Sequence, residues 1–508
     1  MYKHWASRII LIFILTSFAS GAHAADEALL QILRNNKLIT QEQYDALMKA
    51  EGEKKTPSAT APGKRLPTQE EGLLDVLLAN GAITQEQFAA LQVKNAEDKG
   101  KKQDSKEAKV TLADGLKFKS PDGDFSAQVG MYVQLDAATY SNDKTDYSDG
   151  SELRRARLSL SGTFLQDWDY KMEADFAGVA TSPATNSTPG TSNSVVVTDA
   201  YLRYNGFRPV SITAGNFKVP FSLEAVSSGK YLTFMERGLP FAFLNLRSLG
   251  GMVSTNSDNW TAAAGLFGDT VTQQNNDDEG WGVAGRLTWA PYFQKDRVLH
   301  LGFSGQWRVP DANGDNKKGL QTIRFRSKPE SDVITDDLSG TGSVGRLVDT
   351  GSIGGNVNDY TLLGVEAASV YGPFSLQGEY TRALVNRETG DDLAFDGYYV
   401  YGSYFLTNDL RNYKADKGVF DIIQPVKPFK LHGDGWGAWE FATRYSNLDL
   451  NDANVNGGEE RNVALGLNWY PNSFVRLMAN YIHAFPINGG VHNNEELDAF
   501  QMRAQVAY

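Results

Sequence analysis

The sequence predicts an all-β fold: a transmembrane antiparallel β-barrel of about 16 strands, preceded by a short α-helical arm. Three observations carry this. A hydropathy period of two runs from about Val110 to the end of the chain. Long polar connections alternate with tight turns. Finally, 49 Gly, 22 Tyr, 26 Phe and 9 Trp in 508 residues, with no apolar run long enough for a membrane helix after the N-terminus, suit a chain of many strands.

The N-terminus has the form of an export signal. Lys3 and Arg8 precede an apolar run from Ile9 to Leu15, and Ala22-His23-Ala24 suits cleavage before Ala25. That run is too short to span a bilayer, so residues 1–24 are expected to be removed. Export without a single cysteine excludes a disulfide framework and a thiolate metal site. A formal net charge of -12 argues against nucleic acid as a partner, because phosphate-backbone binding needs a basic surface.

Residues 25–96 are expected to form two helical repeats. Leu29, Leu30, Leu33, Asn36 and Ile39 recur 44 residues on as Leu73, Leu74, Leu77, Asn80 and Ile83. Thr40-x-x-Gln43 and Thr84-x-x-Gln87 are capping boxes, with Ile39 and Tyr44, or Ile83 and Phe88, at hydrophobic-staple spacing. Two such units bury little surface alone, and residues 97–110 are a charged linker. The expectation is a periplasmic arm, either a mobile appendage or a segment that oligomerises or contacts the periplasmic layer.

The barrel is expected over 111–508. In Phe125 to Ala137, alternate residues Phe125, Ala127, Val129, Met131, Val133, Leu135 and Ala137 face lipid, and those between face water. The alternation returns at Trp168–Phe176, Thr198–Tyr204, Val298–Arg308, Leu376–Arg382, Trp436–Tyr445 and Val463–Tyr470. Polar loops at Ser141–Ser151 and Thr181–Ser194 alternate with tight turns at Gln166-Asp167 and Asn205–Pro209. Long loops are therefore expected outside, and short turns on the periplasmic side, of a Gram-negative outer membrane. The final strand shares Phe500, Met502, Ala504, Val506 and Tyr508 on one face. The third long connection, about 220–245, carries Leu232, Phe234, Met235, Leu239, Phe241 and Phe243 beside Lys230, Glu236 and Arg237. An exposed loop would hardly need so much apolar surface, so it is expected to fold into the lumen.

Cations sit on the wet faces. In the stretch ELRRARLSLSG, Glu152 to Gly162, alternation puts Arg155, Arg157, Ser159 and Ser161 on one face. It puts Arg154, Ala156, Leu158 and Leu160 on the other, with Arg154 at the strand's edge. A guanidinium stays charged and offers a planar fork of donors to phosphate or carboxylate oxygens, and a low-dielectric wall focuses its field along a lumen. Asp199, Tyr201 and Arg203 share a face, and the next strand leads to Lys218. Arg324, Arg326 and Lys328, with Lys317, Lys318 and Arg346 nearby, form a candidate anion ladder at the outer mouth. The competing role for these arginines is to balance lumen carboxylates such as Glu173, Asp175, Glu366 and Glu379.

Catalysis finds little support. After signal cleavage only His300, His432, His483 and His492 remain, with no serine-centred motif, so an outer-membrane hydrolase is disfavoured. Gly340–Gly345 spells GxGxxG without the strand and helix that a nucleotide site needs. Asp311-x-Asn313-x-Asp315 lacks the downstream glutamate of a calcium loop. No cofactor and no metal are expected. An envelope tether, in which the arm matters more than the pore, is the remaining alternative class.

The stretches ELRRARL, VTDAYLRYNGF, FSLEAVSSGKYLTFMERGL, IRFRSK and LGLNWYPN make residues 111–508 resemble the phosphate-selective porin O/P family of outer-membrane channels. The resemblance implies a homotrimer of 16-stranded barrels and passive diffusion of small anions, phosphate, pyrophosphate or polyphosphate among them. It also implies a constriction on the third loop, whose paired arginines fall on Arg154 and Arg155 and whose loop arginine falls on Arg237. The family's constriction carboxylate falls at Thr198, with Asp199 adjacent. Its loop lysine falls on Ala225, with Lys230 five residues further on, and a first-strand arginine falls on Tyr132. Two aromatic pore positions fall on Arg157 and Lys218, so cationic charge is redistributed. A general or dicarboxylate-type porin without phosphate preference is the alternative within this class.

Overall fold

A computed structural model describes residues 108–111, 116–177, 195–271, 279–311, 321–336 and 345–508. The expected signal segment, both helical repeats and most of the charged linker lie outside the described residues. So do Lys317, Lys318 and most of the GxGxxG and Asp311 motifs.

Sixteen antiparallel strands make the wall. In chain order they are β1 (Phe125–Asn142), β2 (Gly150–Phe164), β3 (Trp168–Asp175), β4 (Val196–Phe207), β5 (Val210–Lys218), β6 (Arg247–Asn256), β7 (Trp260–Phe267) and β8 (Trp281–Gln294). There follow β9 (Arg297–Val309), β10 (Val357–Tyr371), β11 (Phe374–Arg387), β12 (Leu393–Phe405), β13 (Ala438–Asp452), β14 (Val455–Tyr470), β15 (Val475–Ala484) and β16 (Leu497–Ala507). Each pairs with its neighbours in sequence, and β16 pairs back onto β1 from Leu497↔Asn142 to Ala507↔Tyr132. This closure leaves no exposed sheet edge along the wall, the condition for placing strands in hydrocarbon. Two short strands, Lys109–Thr111 and Leu116–Lys119, extend the sheet along the first half of β1.

The two-residue period decides which side chains face which way. In β11, Leu376, Tyr380 and Leu384 are exposed, while Ser375, Gln377, Glu379 and Thr381 between them are buried. Leu158, Leu160, Met172, Leu202, Leu287, Phe441, Phe500 and Met502 join the outward set. Aromatic rings pair on that outer face. Trp168 lies 4.8 Å from Tyr204, and Trp439 stacks on Trp469 at 5.5 Å. An apolar outer band with aromatic pairs is the surface that a bilayer and its interfaces cover.

Connections at one end are mostly long: 143–149, 176–195, 219–246, 268–280, 310–356 and 485–496. At the opposite end most are tight, including 165–167, 295–296 and 372–373. The expected alternation fails at three connections: 388–392 and 453–454 are tight although they lie at the long-loop end, and 406–437 is long, yet lies at the tight-turn end. Its inner part is held against the lumenal wall. The Tyr413 hydroxyl and His300 Nδ1 are 2.6 Å apart, Arg286 Nη2 donates to the Gly418 carbonyl at 2.9 Å, and the Arg411 guanidinium lies 3.6 Å from the Phe420 ring centre.

The loop at 219–246 crosses the lumen. It contains a helical turn, α1 (Leu223–Val226), and a 3-10 turn at Leu239–Phe243. Starting between β5 and β6, it meets the far wall. Glu379 of β11 accepts from the Leu223 and Glu224 amides at 3.0 and 2.8 Å, Asn480 of β15 accepts from the Met235 amide at 2.9 Å, and Arg476 donates to the Thr233 carbonyl at 2.9 Å. These bonds satisfy a backbone that would otherwise be buried without partners. The loop at 310–356 packs onto it, with Phe325, Ile334, Leu347, Val348 and Ile353 in one apolar cluster with Leu239 and Phe243.

Candidate functional site: a cation-lined cavity in the lumen

Between the crossing loop and the wall formed by β1 to β8 lies a cavity of about 530 Å³. All eight residues assigned to the constriction from the sequence border it: Arg154, Arg155, Arg157, Asp199, Arg203, Lys218, Lys230 and Arg237. Lys171, Arg247, Arg286 and Lys417 add cations, and Glu173, Glu236 and Asp416 add carboxylates.

Arg154 corrects the alternation argument. Simple alternation turns it toward lipid, but its side chain is buried and points inward, as does that of Arg155. The cause is a β-bulge. Gln134 pairs with Arg155 and Leu135 with Leu153, so Arg154 is an extra residue in β2 without a cross-strand partner. A bulge re-aims side chains in this way, and here it brings two consecutive guanidinium groups to one face. A second register shift, between Glu173 and Ala174, buries both Thr198 and Asp199.

The crossing loop brings a carboxylate to these arginines. Glu236 accepts from Arg154 Nε and Nη2 at 3.0 and 3.1 Å and from Arg503 Nη2 at 2.7 Å, with Arg155 Nη2 at 3.7 Å. Burial pushes the Glu236 carboxyl up, but Arg154, Arg155 and Arg503 outweigh it and hold the group well below the usual carboxylate range. Arg503 is itself bound by both oxygens of Asp136 at 2.7 and 2.6 Å. Arg154 also meets Asp332 of the 310–356 loop at 3.2 Å. Arg155 is anchored differently: Nη1 donates to Gln134 at 2.6 Å, and Gln134 donates to Gln505, which donates to the Lys230 carbonyl.

Other cations of the cavity are paired along its wall. Arg157 meets Asp175 at 2.7 Å and Glu173 at 3.2 Å. Lys171 and Arg247 both bind Asp199, at 2.5 and 2.7 Å. Arg203 donates to Thr213 at 3.1 Å. Lys218 donates to three successive carbonyls, those of Ala225, Val226 and Ser227, at 2.9, 3.0 and 2.6 Å, and so holds the C-terminal end of α1. Arg237 donates to the carbonyls of Glu224 and Ser227 and lies over the Phe241 ring. Burial, then the nearby Arg155, push its guanidinium down to about 10. Lys230 lies 5.5 Å from the Tyr132 ring centre, and burial pulls its ammonium below the ordinary lysine value. Ala225 itself is buried within α1.

Arg324, Arg326, Lys328 and Arg346 are not among the residues lining this cavity; they belong to the inward-packed 310–356 loop. Arg324 forms an ion pair with Asp349, and Lys328 meets Asp332 at 3.4 Å. Arg326 is buried, and burial with the neighbouring Arg346 and Arg324 pushes it down to about 10. The balancing role also applies to Glu366, bound by Arg286 at 2.5 Å and by His300 at 2.9 Å. It does not describe Glu379, which is satisfied by loop amides and the Tyr399 hydroxyl.

A closed antiparallel barrel whose lumen is narrowed by inward-folded loops and lined by cations is a porin-type channel. The chain belongs to the phosphate-selective porin O and P family, whose model matches residues 127–508. It is similar to porin O of Pseudomonas aeruginosa, 28% identical over 431 residues, which are 78% of this chain and 91% of that one. It is also similar to an uncharacterized protein of Caulobacter vibrioides, 29% identical over 389 residues, covering 73% of this chain and 71% of that one. Among solved structures, the anion-selective porin from Comamonas acidovorans aligns with 76% of this chain and 100% of its own, with a TM-score of 0.46 and 13% identity.

Proposed function

We propose that this chain is an outer-membrane porin through which small anions diffuse passively, with phosphate and its condensed forms as the favoured class. The observation that carries this reading is the charge of the cavity. Among the described residues, seven arginines and four lysines border it against four carboxylates, in a chain of net charge -12. Arg154, Arg155, Arg157, Arg203, Lys218, Lys230 and Arg237 supply the attractive field, with Asp199 as a local counter-charge. Arg324, Arg326, Lys328 and Arg346 extend it toward the end where the long loops gather. Paired guanidinium groups attract an anion without holding it so tightly that it cannot leave, which conduction requires. Membership of a phosphate-selective family supports phosphate over other anions.

The assembly proposed is a homotrimer. Its apolar outer face, exposed on the single chain, would be covered by lipid and by two further copies. Proteoliposomes made potassium-permeable by an ionophore should swell in isotonic potassium chloride and potassium phosphate. Failure to swell in either salt would refute anion passage.

A further inference from the structure

The connection 406–437 divides at the rim of the barrel. Its first half packs inside, where Tyr413, Ala415 and Phe420 share an apolar cluster with Leu223 of α1. Its second half folds the other way. Trp439 of β13 and Trp469 of β14 lie on the outward faces of their strands, in line with the exposed Phe441, Leu465 and Leu467. The Phe429 ring meets Trp469 edge to face at 5.3 Å, and the Trp469 indole N–H donates to the Trp436 carbonyl at 2.9 Å. The segment between is a small hairpin. The Gly437 amide donates to the Lys427 carbonyl at 3.0 Å and the Lys430 amide to the Gly435 carbonyl at 3.1 Å, while the Phe429 amide donates to the Pro471 carbonyl beyond β14 at 2.7 Å. The hairpin thus covers apolar wall on the lipid side, yet it exposes apolar surface of its own. Leu431 and Trp436 are 79% and 74% exposed, with Val426 and Phe429 exposed beside them. Lys427, Lys430 and His432 are exposed too, and Asp434 is the one carboxylate between 427 and 437. Tyr371, Phe374 and Tyr404 are exposed at the same end of the wall.

We propose that residues 426–436 are a foot on the periplasmic leaflet, in which Phe429, Leu431 and Trp436 enter the acyl boundary and Lys427 and Lys430 bind acidic phospholipid head groups. This rests on the membrane-channel reading, with the tight-turn end toward the periplasm, and adds to it a lipid site outside the barrel. Two observations name the occupant. The hairpin is continuous with the lipid-facing wall through Trp469, and its rings and lysines are the side chains that suit a head-group region. A lysine there lays its apolar stem along the acyl boundary and keeps its ammonium at the phosphates. A protein partner would have to desolvate both ammonium groups, whereas lipid phosphate meets them at the water boundary. Each lysine near an anionic surface favours the acidic lipid by about fivefold.

The chain contains no cysteine, so Leu431→Cys in the full chain offers a single thiol for a fluorescent label. The label is read in proteoliposomes of phosphatidylethanolamine with a minor fraction of phosphatidylglycerol, each lipid brominated in turn, and with iodide in the water. Brominated phosphatidylglycerol should quench it at least about fivefold beyond that lipid's share, and iodide should quench it little. Adding Lys427→Gln and Lys430→Gln should return the quenching to that share. Quenching by iodide and by neither lipid would overturn the foot, because position 431 would lie in water. Quenching by none of the three would overturn it in favour of a protein contact, a neighbouring copy of the chain included. Quenching by both lipids in proportion to their amounts, with and without the lysines, would overturn the head-group preference. A label at Leu465→Cys, on the lipid face of β14, should be quenched by either lipid; if it is not, the membrane reading fails rather than the foot.

Discussion

Arg154 of β2 and Glu236 of the crossing loop meet inside the lumen in a two-pronged ion pair, Nε to Oε1 at 3.0 Å and Nη2 to Oε2 at 3.1 Å. One partner sits on a bulge of the wall and the other on the crossing loop, so the pair ties the loop to β2. Because Arg503 shares the same carboxylate, Glu236 joins three parts of the chain that are remote in sequence.

Glu236→Gln should therefore loosen the loop. Removing one partner of a buried pair leaves uncompensated charge and costs on the order of 3 kcal/mol. Expected are a lower midpoint for thermal unfolding in detergent and a higher anion-to-cation permeability ratio, because Arg154 and Arg503 lose their counter-charge. A more stable variant with unchanged selectivity would count against this role.

Arg155 and Arg157 differ in how far their forks are occupied. Arg157 is committed to Asp175 and Glu173, whereas Arg155 makes its shortest bond to the neutral Gln134. Arg155→Ala should weaken phosphate block about tenfold or more, as expected for a lost charged hydrogen bond. Arg157→Ala should change block severalfold less. Equal effects in a block titration would show that the pairings do not govern anion binding.

How much of this was legible in the sequence depends on the range of the interaction. The strands, their faces and the inward positions of Arg155 and Arg157 follow from a two-residue period, which is local. The inward turn of Arg154 was not legible in that period, and only the family resemblance placed it at the constriction, because the bulge exists only in the pairing of Leu153 with Leu135 on another strand. Nor was the cavity-lining part of 406–437, which is held by bonds such as Tyr413 to His300 and Gly418 to Arg286 between segments far apart in the chain. Arg503 could have been found: Gln501, Arg503 and Gln505 occupy the face opposite Phe500 and Met502 in the last strand. Its partnership with Glu236 could not.

Lys218 bonds three successive carbonyls at the end of α1 and is expected to hold that turn. In Lys218→Met those carbonyls lose their donor, and hydrogen exchange of the 225–227 amides should quicken by about tenfold, with noisier open-channel current. Unaltered exchange would mean the turn is held by its other contacts.

Lys230 gives a pH dependence with a definite sign. It carries charge below its pKa, and burial lowers that pKa, aided by Lys171 and Arg157 and opposed by Glu173. Its charge is thus lost at a pH below the ordinary lysine value of about 10.4. Anion preference should weaken as pH rises from 7 toward 10, and Lys230→Gln should flatten that part of the profile. Identical profiles in parent and variant would assign the titration elsewhere.

The central claim, that a lumen lined by Arg154, Arg155, Lys230 and Arg237 selects anions, is tested most directly by the reversal potential of single channels in a tenfold potassium chloride gradient across a planar bilayer. A potential of the sign set by chloride, reduced toward zero in Arg155→Ala and Arg237→Ala, is the expected result. A potential of the sign set by potassium would contradict it.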